Sequence, residues 1–171
     1  MNPKTLESKW QKKWAEAKAY ESEPGGAKEK YFVNCPYPYM NGYLHLGHAF
    51  TYLRADMVSR YQRMQDKNVL FPFAFHCTGT PIVAAAQRVE EGEETQIKAL
   101  KQMGLSDTLI KKFSKPEEWT KHFPDKAIQD LKKFGASIDW RRSFITTSLN
   151  PPYDAFILSL IHISEPTRHR R

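Results

Sequence analysis

The stretch N-C-P-Y-P-Y-M-N-G-Y-L-H-L-G-H at 34–48 restricts this chain more than any other. An apolar run at 31–33 precedes it and a long amphipathic pattern follows. The order predicts a strand, a tight turn, and a helix whose first turn carries His45 and His48. Helix residues three apart share a face, so both imidazoles can meet one anion. A helix start adds N–H groups with no intrahelical acceptor and the positive end of the dipole, which favour phosphate. Gly47, beside His48, has no side chain to keep a flat ligand such as a purine from the backbone. The chemistry indicated is nucleotide binding, with charge stabilisation at a phosphate during nucleotidyl transfer. An H-x-x-H pair on a helix also occurs as two solvated histidines. The flanks carry the weight: turn residues at 36–42, and a second strand–turn unit at the right distance.

That second unit is the apolar and aromatic run at 69–75, suited to a buried parallel strand, then T-G-T-P at 78–81 and a helix over 82–94. A β-α-β-α order predicts a parallel sheet, whose ligands sit at the carboxyl ends of the strands. Both turns, with His45, His48 and His76, then open into one cleft. Upstream, 3–20 reads as a helix with Pro3 in its first turn and a core-facing stripe of Leu6, Trp10, Trp14 and Ala17. A loop containing P-G-G follows at 21–28, and a strand at 30–35. The helix over 45–65 rests on Phe50, Leu53, Met57, Tyr61 and Met64, which recur every three or four residues. Beyond 95 the pattern weakens: 95–119 is charged and mixed, 124–134 reads as a helix closed by Gly135, and 137–147 as extended or turn. No internal repeat is present.

At 171 residues the chain fits one domain or one and a half, and 40% hydrophobic content with 13% aromatic is enough for a core. The net charge of +7 suits a polyanion such as RNA or a nucleotide, but also an ordinary solvated surface. Two cysteines, Cys35 and Cys77, make no disulfide framework and, without a C-x-x-C or nearby histidine, read as core thiols rather than metal ligands. The run at 69–75 is far short of the ~20 apolar residues of a membrane helix. The first dozen residues are polar, and Glu7 and Glu16 argue against a transit peptide, so a cytoplasmic protein is the expectation.

These motifs resemble one family closely: the class I aminoacyl-tRNA synthetases, and within them the leucyl enzymes of archaeal and eukaryotic cytosolic type. H-L-G-H at 45–48 matches the family's H-I-G-H signature. P-Y-M-N-G at 38–42 and F-P-F-A-F-H-C-T-G-T-P-I at 71–82 are similar to the leucyl branch, where isoleucyl and valyl relatives carry G-W-D-x-H-G-L-P. D-W-R-R at 139–142 and N-P-P-Y-D-A-F-I at 150–157 fit as well, so the likeness covers about 3–157. The resemblance implies an α/β fold: the first half of a Rossmann-like parallel-sheet nucleotide-binding fold, with an N-terminal helix and the start of an inserted connective region.

The resemblance also implies roles. His45 and His48 would bind ATP phosphates and stabilise the pentavalent phosphorus attacked by leucine's carboxylate. Gly47 would lie against adenine and Asn41 would contact ATP. Tyr37 and Tyr39 would line the leucine site, though packing aromatics are an equal reading. His76 stands where related enzymes keep an Asp near the substrate ammonium, and it supplies no anion there. Mg²⁺ would accompany ATP, and tRNA would accept the leucine. Asp139 and Arg141 also fit a plain structural ion pair.

The departures are as informative. The second signature, K-M-S-K-S, the second half of the nucleotide fold, the editing domain and the anticodon-binding helices are all missing from the 171 residues, so an N-terminal fragment is expected. Its expected divisions are 1–29 (helix and loop), 30–94 (first catalytic half), 95–157 (connective region) and 158–171, a tail matching nothing in the family and expected to be non-native. The alternatives are a small H-x-G-H nucleotidyltransferase, which would be complete near this length, and a non-catalytic RNA-binding piece.

Overall fold

The computed structural model of the chain describes residues 2–164. The helices in chain order are α1 (Pro3–Glu16), α2 (Leu46–Met64), α3 (Thr80–Glu90), α4 (Glu94–Gln102), α5 (Asp107–Lys112), α6 (Pro116–Phe134) and α7 (Pro151–Ser164). Three parallel segments run side by side between them. Strand β1 (Lys30–Phe32) pairs with β2 (Asn68–Leu70), Tyr31 opposite Val69, and the Val33 N–H continues the ladder to the Leu70 carbonyl at 2.9 Å. Further along, Tyr39 and His76 form a parallel bridge: the His76 N–H donates to Pro38 at 2.8 Å and the Met40 N–H to His76 at 3.1 Å. Strand β3 (Ala74–Phe75) pairs in parallel with β4 (Phe144–Ile145), and the Asp139 N–H reaches the Phe71 carbonyl at 2.9 Å. The fold is α/β with parallel strands, as expected. The one strand anticipated over 69–75 is two, because proline has no N–H to donate and Pro36, Pro38 and Pro72 interrupt the ladder while the chains stay parallel.

The core is one cluster. Phe71, Phe73, Phe75 and Ile82 from the sheet and α3 meet Leu100, Phe113, Trp119 and Phe123 from the following helices. The charged stretch after residue 95 is therefore helical and packed: its apolar residues are few, but Leu100, Leu105, Ile110, Phe113 and Trp119 are each buried. Helix α6 starts at Pro116 rather than 124 and runs on through a buried Pro124. Gly135 closes it at φ 79°, the left-handed geometry that glycine adopts without strain. Helix α1 is shorter than expected and its stripe packs only in part. Leu6 and Trp14 are half-buried, Trp10 and Ala17 exposed, and the Gln11 amide donates to the Lys133 carbonyl at 2.7 Å. Helix α7 runs through residue 164 with Phe156, Leu158 and Ile161 exposed; the expected non-native basic end at 168–171 lies outside the described residues.

Helix α2 departs most from the sequence expectation. Its apolar stripe faces solvent: Phe50 is 61%, Met57 62% and Met64 79% exposed. The buried face is Tyr52, Asp56 and Ser59, with Arg63 alongside. Each polar group on it has a specific bond. The Asp56 carboxylate accepts the Ser137 N–H at 2.5 Å and the Arg60 guanidinium at 2.7 Å. Arg60 also donates to the Gly135 carbonyl. Arg63 donates to the Ser59 hydroxyl at 2.6 Å and to the Ser137 carbonyl at 3.1 Å. A buried polar group is tolerated when so paired. A second ionic group lies nearby, where Arg141 pairs with Asp139 at 2.8 Å and also with Glu21 and Glu23. Burial pushes the Asp139 carboxyl up, but its bonds to Arg141 and the Ser22 N–H outweigh that and hold it below the usual range.

Removing the Asp56 carboxylate strands the Ser137 N–H in the interior. Asp56→Ala is expected to lower unfolding stability in urea by about 1–3 kcal/mol, whereas Met57→Ala on the solvent face changes it by less than about 0.5 kcal/mol. Equal losses at the two positions would mean that the polar face is not what holds α2.

Candidate active site

His45 is the N-cap of α2, in extended backbone geometry, and His48 is the third helical residue. Their rings cap the helix reciprocally. His45 Nδ1 accepts the Gly47 N–H at 3.1 Å, and His48 Nδ1 accepts the His45 N–H at 3.2 Å. This is the geometry of a capping box, built from two imidazoles in place of a hydroxyl and a carboxylate. A neutral imidazole that accepts at Nδ1 carries its proton on Nε2. Both rings, 4.0 Å apart, therefore keep an Nε2–H donor beyond the cap. Burial, and then the neighbouring His45, lower the pKa of His48 and so favour its uncharged ring.

Two sequence expectations change in detail. Three backbone donors at the helix start are engaged: the Gly47 N–H reaches the His45 ring, and the His48 and Ala49 N–H groups both reach the His45 carbonyl, at 2.9 and 3.2 Å. The imidazoles add donors of their own. Gly47 is required by the His45 ring, since a Cβ there would lie 2.9 Å from His45 Cε1 and 3.0 Å from its Nδ1.

From His48 a line of rings leads into the sheet. His48 stacks on Tyr52 at 5.9 Å, and Tyr52 stands edge-on to Phe73 at 4.9 Å. Tyr37 meets Phe73 at 6.2 Å and Phe144 at 5.9 Å, so its ring packs as well as lining the strand end. Tyr39, partly exposed, stacks on His76 at 4.1 Å. The ring contacts thus give two groups: His45 with His48, linked through Tyr52 and Phe73 to Tyr37, and Tyr39 with His76 across two neighbouring parallel segments. Asn41 is exposed in the connecting turn. Sequence reasoning missed Tyr52; the available signal was its place one helical turn after His48. Cys35 and Cys77 are buried thiols, pushed up by burial to about 11 and about 12, and among the described residues no three His, Cys, Asp or Glu side chains group as metal ligands. A cavity of about 390 Å³ lies away from the histidines, between α1 and residues 135–141, lined by Trp14, Tyr20 and Trp140.

The parallel α/β fold and the H-x-G-H helix start agree with the class of protein that the comparisons identify. Residues 9–160 match the family described as tRNA synthetases class I (I, L, M and V), and the chain belongs to it. It is 49% identical over 154 residues to the leucine–tRNA ligase of Aeropyrum pernix, covering 90% of this chain and 16% of that one. It is 39% identical over 205 residues to the cytoplasmic leucine–tRNA ligase of Pongo abelii, covering 90% of this chain and 17% of the relative. The chain thus spans about a sixth of these relatives' length. The fold is also that of the LeuRS of Agrobacterium radiobacter K84, solved in a ternary complex with tRNA and LeuAMS, with a TM-score of 0.66, 23% identity and coverage of 92% of this chain and 17% of that one.

Gly47→Ala is expected to displace the His45 ring and break the reciprocal cap, costing about 0.5–2 kcal/mol and shifting the ring resonances of both histidines in NMR spectra. Unmoved resonances would show that the cap tolerates a methyl group. The pH dependence has a definite sign. His48 and His122 are both held below the ordinary histidine value, chiefly by burial, so the unfolded chain binds more protons and stability rises with pH. Stability is expected to fall as pH drops through about 6.5 toward the folded values. His122→Gln should shrink the fall in urea midpoint between about pH 7.5 and about pH 5.5; an unchanged fall would clear His122 of any part in it.

Proposed function

We propose that this chain forms the phosphate-facing side, and part of the leucine-facing side, of a leucine–tRNA ligase active site. The observation that carries the reading is the reciprocal histidine cap, which leaves two Nε2–H donors beyond the start of α2. In the reaction, leucine's carboxylate oxygen attacks the α-phosphorus of ATP, pyrophosphate leaves, and a terminal ribose hydroxyl of tRNA then takes leucine from the leucyl-adenylate, releasing AMP. His45 and His48 donate to phosphate oxygens as charge builds in the pentavalent state, where preorganised donors act most strongly. Gly47 and Asn41 border the nucleotide. Tyr37, Tyr39 and His76 border leucine, with the His76 ring stacked on Tyr39. Mg²⁺ belongs to the ATP phosphates, with no dedicated ligand group among the described residues.

The divisions at 1–29, 30–94, 95–157 and 158–171 are part of this reading. So is a cytoplasmic location, favoured by the cytoplasmic names of several relatives. No described helix is long and apolar enough to cross a membrane. The class I match disfavours the smaller nucleotidyltransferase.

The test has two arms. The 171-residue chain is expected to support no leucine-dependent ATP–pyrophosphate exchange; robust exchange by the purified chain would overturn its assignment as part of a site. In an enzyme completed to the length of the Aeropyrum pernix relative, His48→Ala is expected to lower kcat by ~10²–10³ with a smaller change in KM. Near-normal activation kinetics would reduce the pair to helix caps.

A further inference from the structure

The four residues between the strand end and the histidine cap, Asn41, Gly42, Tyr43 and Leu44, are anchored at one side by the Met40 bond to His76 and at the other by the His45 cap. Further fixation of Gly42 and Tyr43 comes from helices that carry no candidate site residue. The Tyr43 ring stands edge-on to Phe123 of α6 at 5.4 Å and 72°, with His122 at 6.3 Å. Beneath them lies an aromatic platform. Phe113 meets Trp119 at 4.9 Å and Phe123 at 5.5 Å, all three rings are fully buried, and the Trp119 indole N–H fastens the α5–α6 junction to the Phe113 carbonyl at 2.6 Å. Gly42 is held under the same region, since a Cβ there would come within 3.3 Å of Met103 Cε at the end of α4. His122, whose ring also meets that of Tyr43, has its Nε2 buried with no hydrogen-bond partner among the described residues.

We infer that Tyr43 is a positioning residue for the His45–His48 pair: it seats the turn on the α5–α6 aromatic platform and thereby sets the geometry of the histidine cap. A flexible turn at this point would let His45 leave its cap position and carry its ring away from His48. A rigid aromatic seated in a buried cluster prevents that with few rotatable bonds to order. The consequence for catalysis rests on the function proposed above; the consequence for the cap does not.

The test uses the 171-residue chain and the ring ¹⁵N shifts of His45 and His48, which report the tautomer of each imidazole. Wild type and Tyr43→Phe are expected to hold both rings as Nε2–H tautomers, the phenyl ring being sufficient for the packing. Tyr43→Ala is expected to mix the tautomers of both rings while the amide resonances of α2 stay native. It should also weaken binding of Mg²⁺–ATP about fivefold, the equivalent of a lost cap. Should Tyr43→Ala fail to fold, Phe123→Leu removes the edge-on contact from the platform side, and the same shifts decide. Native tautomers in a folded Tyr43→Ala or Phe123→Leu chain would overturn the inference. The tautomers are read without nucleotide, so absence of any ATP-induced shift in wild type would count against the proposed function and leave the role of Tyr43 standing.

Discussion

The contact between the polar face of α2 and residues 135–137 sets the rotation of that helix, and the candidate site depends on the rotation. His48, Tyr52, Asp56, Ser59 and Arg63 fall at helical spacing on one side. Phe50, Leu53, Met57, Tyr61 and Met64 fall on the other. Bonds from Asp56 to Ser137, and from Arg60 and Arg63 to the carbonyls of Gly135 and Ser137, draw the first side inward. His48 is thereby turned onto Tyr52 and Phe73 at the strand ends. Had the apolar side been buried, the same helix would aim His48 at solvent. The hydrophobic residues of this segment make it a helix, and its charged and hydroxyl groups determine which way it faces.

That division explains what was legible in the sequence. Periodicity located α2 to within a residue of its ends, and turn chemistry located Gly135 and the loops. Parallel pairing of the strands followed from the alternation of elements. Which side of α2 packs did not follow, because the apolar and polar stripes repeat with the same period, and bonds to a turn some eighty residues away leave no local mark. The break between β2 and β3 depends on prolines in both neighbouring segments, so reading one segment alone misses half of it. In α4 and α5, single buried residues anchor short charged helices that a pattern search needs more apolar positions to see.

The histidine pair was visible in the sequence, but its internal chemistry was not. Spacing placed two rings on one face. The structure adds that each ring satisfies a backbone N–H through Nδ1, so capping and donor orientation are one arrangement. Glycine between them is explained by the ring above it rather than by an incoming ligand alone. Tyr39 against His76 and Tyr37 against Phe73 show the same economy, with side chains at the strand ends packing on one another.

The polar contact of α2 also has a timing. Asp56 and Ser137 are separated by 81 positions, so on a ribosome adding about 5–20 residues per second the helix waits on the order of 4–16 s for its partner. Until then its charged side has nothing to bind, and its apolar side is exposed to whatever the nascent chain meets. Once residues 135–137 emerge, the polar side closes and the apolar side still faces outward.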